Sequence, residues 1–468
     1  MISVSQKFLE LMQSNIRPKI EPTITVKGQD SEGNQVVLTW KPSNIQNMTY
    51  KRGIDPVGRT LPYMELTWTE IYYGKLNAKN YPEKYNNIVK YMAVELNFEQ
   101  SLGFFNTWKD LYSAGYTWKS VLKQFKTWKN VKRSVIKETI KFPTMFLVAR
   151  PTIQGQTITW TARDLFYFLN QSHAKCFAKD IDYKNPIRLL LLDERSNFVN
   201  SSEIFNAINK TQKVADSIDG GLVSKNIVFE NSTKNLLMNY GNLRNCFWDF
   251  TNNYAELNTF SSLLGKTTPV FKFSNNIMHN PPELTEQSNV SIYSFTQNVI
   301  EVDNDGLYSL SPNETVEIQN SQYYRFVYKG WGIQESTGSS LENISKTAVG
   351  TVNKTNVFPV NINSLELVIN NNKQGEVFAE NNPLNPYNKN VKWIQYRLNY
   401  LDQYFQSTAY TMVLKSLSNV ALEPKDLVEV ETNLFNNNKR IVKKGIVIGI
   451  ELTYNGSLKQ KTIVHEVK

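Results

Sequence analysis

Along residues 446–454, Ile446, Ile448, Ile450, Leu452 and Tyr454 alternate with Val447, Gly449, Glu451 and Thr453, the two-residue period of a strand with one face in a core. Asn455-Gly456 then turns the chain, since both residues accept the positive φ that hairpin turns require. Residues 458–467 return as a second strand. A two-residue loop would set Leu452 against Lys459 and Ile450 against Lys461, with ammonium groups beside the apolar face. A three-residue loop with Gly456 left-handed pairs Leu452 with Leu458, Glu451 with Lys459 and Val447 with Ile463, and is the register the pattern favours. Upstream, residues 422–426 form a polar turn and 426–432 another short alternating strand.

The same reading applied from the N-terminus predicts an amphipathic helix over 8–15, with Phe8, Leu11 and Met12 on one face, ended by Pro18 and Pro22. Strands follow at 23–27, 35–40, 63–68 and 88–98, with turns at 30–34 and 53–59, so that 20–98 reads as an antiparallel β domain. Residues 142–149 and 157–161 are strands joined by a turn at Gly155, and 162–169 a helix. Further on, a strand is expected at 187–192, helices at 202–214 and 234–250, strands through 290–369, and a long exposed loop at 335–356. Residues 391–417 carry the clearest helical spacing, with Met412, Leu414 and Leu417 extending it. The fold class is therefore α+β, mainly β: antiparallel β-barrel or sandwich domains with helical insertions, and a long helix leading into a small C-terminal β-barrel. The expected division is 1–100, an N-terminal β domain with a short leading helix; 101–175, a Trp-rich helical segment and strand-helix unit; 176–390, a mixed α/β region; and 391–468, helix plus barrel.

Thr107-Trp108-Lys109, Thr117-Trp118-Lys119 and Thr127-Trp128-Lys129 repeat at ten-residue spacing. On one continuous helix these Trp residues would spiral and form no stripe. Either they stack on single-stranded nucleic acid with the lysines, or they anchor short helices to neighbouring modules. The second reading is preferred, with Leu111, Val121, Leu122 and Phe125 as core positions.

Composition adds limits. At 468 residues, 41% hydrophobic and 12% aromatic, the chain has the make-up of a folded protein with several cores. No apolar run is long enough to span a membrane, and residues 1–15 lack a secretory pattern. The net charge of +10 is scattered, which suits a solvated basic surface better than one nucleic-acid groove. Cys176 and Cys246 show no metal-ligand spacing and read as free thiols.

Catalytic chemistry lacks its motifs. Only His173, His279 and His465 could serve as an imidazole base, and His465 reads as an exposed strand residue. There is no GxSxG, HExxH, P-loop or GxGxxG. Asp303-Asn304-Asp305-Gly306 resembles the start of a calcium loop, but Leu307 breaks the ligand alternation and a β turn is preferred. Glu65, Glu70, Asp193 and Glu194 are the carboxylates that a glycosidase pair would draw on. No catalytic residue, cofactor or metal site is assigned.

Three stretches, RPKIEPTITVKG after the first helix, FPTMFLVARPTIQGQTITWTARDLFYFL, and the C-terminal LEPKDLVEVET with KKGIVIGIELTYNGSLKQKTIVHEV, resemble tail-tip and baseplate hub proteins of tailed bacteriophages. The resemblance covers both ends and part of the middle, not residues 175–390. It implies a structural virion protein at the distal tail tip, assembled in the host cytoplasm as a homotrimeric ring that closes or continues the tail tube. Its implied partners are further copies of itself and the tail-tube, distal-tail, tape-measure and receptor-binding proteins, with DNA in transit during genome ejection and no stable membrane insertion. Related hubs often carry a C-terminal lysin; with the chain ending at Lys468, that activity is expected to be absent or on another chain. The excess positive charge is expected away from the channel. The alternatives are a β-rich receptor- or glycan-binding tail protein and an enzyme acting on cell-wall polymer.

Overall fold

A computed structural model describes residues 1–13, 19–30, 32–74, 85, 88–104, 107–113, 116–133, 135–169, 173–182, 223–243, 245–251, 254–259, 261–287, 289–302, 360–370, 375–382, 392–408, 410–432 and 441–467. The expected strand at 187–192, the helix at 202–214, the Asp303–Gly306 turn and the loop at 335–356 lie outside these residues, as do Asp193 and Glu194.

The chain opens with α1 (Gln6–Gln13), whose Phe8 and Met12 are buried. There follow β1 (Ile20–Gln29), β2 (Gln35–Trp40), β3 (Asn47–Gly53), β4 (Tyr63–Ile71) and β5 (Ala93–Phe104). Pro22 lies inside β1 instead of ending the helix; pairing with β2 begins only at Ile24, so one side of Pro22 has no ladder to interrupt. The strand expected from residue 88 begins at Ala93, because Tyr91 takes φ 74° and turns the chain. At 30–34 the turn forms as expected: Gly33 has φ 85°, and the Asp30 carboxylate accepts from the backbone N–H of Glu32 and Asn34, both at 2.9 Å.

Three short helices, α2 (Trp108–Ser113), α3 (Trp118–Phe125) and α4 (Trp128–Arg133), come next, then β6 (Val135–Lys141), β7 (Met145–Leu147), β8 (Thr152–Gln154), β9 (Thr157–Arg163) and α5 (Leu165–Leu169). Ala162 and Arg163 belong to β9, and α5 starts later than the spacing predicts. Asp164 makes the break: its carboxylate accepts from Tyr167 N–H at 3.0 Å, as an N-cap does.

The middle contributes β10 (His173–Asp182) and β11 (Val223–Ser232), α6 (Thr233–Leu243), and β12 (Cys246–Thr251) and β13 (Tyr254–Thr259). The helix expected over 234–250 therefore stops at Leu243. Asn245, with φ 52°, ends it, and Cys-Phe-Trp-Asp-Phe-Thr pairs with β13. After α7 (Ser261–Leu264) come β14 (Phe271–Phe273), β15 (Glu283–Glu286), β16 (Val290–Val302), β17 (Val360–Asn370) and β18 (Glu376–Asn381). The C-terminal part holds α8 (Lys392–Ser407), β19 (Tyr410–Ser416), β20 (Leu427–Thr432), β21 (Ile441–Tyr454) and β22 (Leu458–Val467). Residues 410–416 are a strand and not the last turns of a helix, because Met412 and Leu414 alternate into the core and β19 lies between β22 and β15.

One sheet joins both ends of the chain, in the order β15-β19-β22-β21-β3-β4-β9-β7-β5-β1-β2. Among the described residues the expected C-terminal barrel does not close. Strand β21 hydrogen-bonds β20 along its first half and β3 along its second, with β22 on its other side, so the sheet continues instead of curling back. The final hairpin has the expected three-residue loop, and Gly456 takes φ 89°. Its pairs differ by two residues from those expected: Tyr454 faces Leu458, Leu452 faces Gln460 and Glu451 faces Lys461. A two-residue shift keeps every side chain on its own face, which is why the hydrophobic pattern did not distinguish the registers.

A bulge between Val447 and Gly449 reverses which face the alternation serves. Ile446 before it and Ile448 at the bulge pack in a core with α8, β16 and β18; after it, Ile450, Leu452 and Tyr454 enter the larger core beneath the main sheet, which Val447 also joins. A single strand thus serves two cores. Trp40, Trp68, Trp160 and Tyr85 meet in the larger one, with Trp68 and Trp160 stacked at 5.7 Å and Tyr85 edge-on to Trp160 at 4.9 Å.

The turn before β4 docks the helices. Gly58 has φ 79°, its carbonyl accepts from Asn242 Nδ2 at 3.0 Å, and a Cβ there would lie 1.9 Å from Asn242 Oδ1. Arg397 of α8 donates to Val57 O at 2.9 Å and to Glu380 Oε2 at 2.8 Å, and Tyr400 donates to Pro56 O. Replacing Gly58 by Ala is expected to destabilise the protein by about 1–3 kcal/mol through combined backbone strain and overlap, measured as the shift in urea unfolding midpoint against wild type.

Candidate functional site

Among the described residues, a cluster of charged side chains lies where β3, β12 and the 422–426 turn meet. Arg52 is on β3, facing inward because its neighbours Lys51 and Gly53 take the alternate positions. One guanidinium nitrogen lies 3.3 Å from Asp249 Oδ1 on β12 and the other 3.1 Å from Glu423 Oε1. Lys425 Nζ reaches Asp249 Oδ2 at 2.6 Å, and Lys425 itself is held at φ 76° with its N–H bonded to Val447 O. The α-ammonium of Met1 joins the group through Asp426 and Glu423, and Ile2 N–H donates to Ala421 O at 2.8 Å. Burial opposes the charge on Arg52, but Asp249, Tyr50 and Glu423 outweigh it and hold the guanidinium even more firmly protonated than usual. Burial also raises the Asp426 carboxyl, against the pull of the α-ammonium.

This cluster braces the elements that meet there, each of Asp249, Glu423 and Asp426 facing a cation. Among the described residues, no group of three or more His, Cys, Asp or Glu side chains is placed to hold a metal ion.

The other candidates separate. Glu65 pairs with Arg163 at 2.6 Å on the outer face of β4, while Glu70 is buried on the opposite face and accepts from Tyr85 and from Trp160 Nε1 at 3.3 Å. They cannot act together as a glycosidase pair. Cys246 is a buried thiol. His465 is half-buried, not exposed, and bonds Tyr404 of α8; burial pushes its imidazole down to about 4. Asp164, fully enclosed, accepts from Met64 N–H as well as from Tyr167, and burial pushes its carboxyl up to about 7. His465 and Asp164 each join two elements.

The Trp triplets form a different surface. Each Trp begins its own helix. Thr117 is the N-cap of α3, with Ser120 completing a capping box, and Thr127 accepts from Asn130 N–H at 3.3 Å. The buried positions fall three residues after each Trp: Leu111, Val121 and Val131 form a small separate core with Tyr116 against it. Leu122, expected in the core, is 55% exposed, and the side chain of Phe125 lies outside those described. Trp108, Trp118 and Trp128 are exposed, with Trp108 and Trp118 edge-to-face at 4.8 Å. The ten-residue repeat marks the starts of three short helices, as the preferred reading expects, with Thr117 and Thr127 capping the second and third.

Truncating Arg52 to Ala leaves Asp249 buried with Lys425 as its remaining charged neighbour, and is expected to cost about 3–5 kcal/mol in chemical unfolding; a loss below 1 kcal/mol would show the cluster to be incidental. For His465, the folded pKa lies below the unfolded value, so its neutral form stabilises the fold above about pH 6.5 and that stability is lost as pH falls toward 4. Replacing His465 by Phe is expected to narrow the difference in melting temperature between pH 7 and pH 4.5, read by thermal denaturation.

No family model and no curated protein matches this sequence. Among solved structures, the chain is similar to a tail protein from Neisseria meningitidis MC58 at 8% identity and TM-score 0.46, with 95% of this chain and 96% of that one covered. It is similar to the prophage MuSo2 43 kDa tail protein from Shewanella oneidensis at 9% identity and TM-score 0.46, covering 95% and 97%. To prophage tail protein gp18 from Listeria monocytogenes EGD-e the figures are 8% identity, TM-score 0.40, and 95% and 94%.

Proposed function

We propose that the chain is a structural virion protein, the homotrimeric hub at the distal end of a phage tail, which closes or continues the tail tube and anchors tip and receptor-binding proteins for genome delivery. The observation that carries this reading is the architecture of the main sheet. It is an open, mainly antiparallel scaffold in which the two ends of the chain are locked together and buried charges brace the join, and among the described residues its main path ends at the strands β15 and β2. Strand edges of this kind are where a neighbouring copy continues a sheet, and a repeated contact of unlike faces closes a ring. The sequence resemblance at both ends of the chain supplies the identity of the assembly. No catalytic step is assigned.

The alternative, a receptor- or glycan-binding tail protein, needs exposed aromatic rings. Trp40, Trp68, Trp160 and Trp248 are buried. Among the described residues, Tyr63, Tyr73 and the Trp108, Tyr112, Trp118 and Trp128 side chains of the α2–α4 segment are exposed.

The purified protein is expected to show, by light scattering and negative-stain microscopy, three-fold rings with a central hole and three times the chain mass. Monomers that persist at high concentration and in the presence of the adjoining tail proteins would overturn the hub reading; a glycan array would then test the alternative.

A further inference from the structure

Helices α2–α4 sit at the end of an arm. Strands β5 and β6 pair antiparallel from Asn97 with Lys141 to Phe104 with Val135, and the helical segment joins their ends. Its private core of Leu111, Val121 and Val131 is too small to hide its other apolar side chains. Among the described residues, five of the twelve large hydrophobic side chains that are exposed lie in it: Trp108, Tyr112, Trp118, Leu122 and Trp128. Residues 107–133 contain seven Lys and Arg against one acidic residue, Asp110, and Lys109, Lys119, Lys123, Lys126 and Lys129 are exposed beside those rings.

We propose that this tip is a docking surface for an anionic lipid bilayer, lying at the interface with its lysines toward the headgroups and its Trp, Tyr and Leu side chains toward the acyl boundary. Charge complementarity names the sign of the partner, and the side-chain types name its nature. Trp and Tyr are the residues that suit a boundary with one wet and one apolar side. Leu122, 55% exposed, offers apolar area and no stacking plane. A nucleic-acid platform needs open ring faces, and in the edge-to-face Trp108–Trp118 pair one ring presses its edge on the other. A second copy of the tip carries the same positive charge and repels it. This inference stands apart from the hub reading, since it rests on the arm alone.

The test is co-sedimentation of the full chain with vesicles of equal parts phosphatidylcholine and phosphatidylglycerol, beside vesicles of phosphatidylcholine alone. The protein is expected to pellet with the anionic vesicles, to be released by salt, and to stay in solution with the neutral ones. Trp118→Ala and Leu122→Ser are each expected to weaken binding several-fold with unchanged circular dichroism and melting, because both side chains are exposed. Reversing Lys119, Lys123 and Lys126 to Glu is expected to weaken it at least about tenfold. Failure to pellet with anionic vesicles, or binding that these variants leave unchanged, would overturn the proposal. So would retardation of a single-stranded oligonucleotide, or self-association, that these substitutions abolish without any vesicle binding.

Discussion

The pairing of β21 with β3 is the constraint on which the rest of the fold depends. It joins residues 449–454 to residues 48–53 edge to edge, and so merges strands from the two ends of the chain into one sheet. The bulge at Ile448 then lets the same strand supply two cores, with Ile446 and Ile448 toward α8 and Ile450, Leu452 and Tyr454 toward the Trp cluster. Beside this seam, Arg52 engages Asp249 and Glu423. A buried ion pair contributes little net stability by itself, but its directional bonds penalise any arrangement that leaves one charge alone. The seam is therefore specified by charge as well as closed by hydrophobic contact.

Such an arrangement holds the two ends of the chain in register. Among the described residues, buried Arg52, Asp164, Glu70, Glu380 and Arg397 each bind a partner from another element. What the sheet leaves open lies at its edges and on the β5–β6 arm. A scaffold with a closed interior and surfaces reserved for neighbours is the physical content of the proposed role.

The sequence showed the parts of this that depend on local period and turn chemistry. Strand β2 has the predicted bounds, the Asp30–Asn34 and Gly456 turns form as read, and α1 buries the predicted Phe8 and Met12. It misled where a short apolar run fits two periods. Residues 410–416 and 246–251 continue a helical spacing on paper, yet both become strands because a partner strand lies beside them. The bulge at Ile448 leaves no mark in an alternating pattern, so both apolar series were placed on one face. The charge cluster was invisible for another reason: Arg52 and Asp249 stand 197 residues apart, and only the completed fold brings them together. The Trp repeat, by contrast, was legible as short helices, each beginning at its Trp, with Thr117 and Thr127 as caps.

Hydrogen exchange of the intact protein, followed by mass spectrometry, tests the seam most directly. If β21 and β3 lock the two ends of the chain into one unit, amides in residues 48–53 and 449–454 should exchange with one shared slow phase and lose protection together as denaturant is added. Residues 48–53 losing protection well before 449–454 would show that the ends open separately, and the single-scaffold account would be wrong.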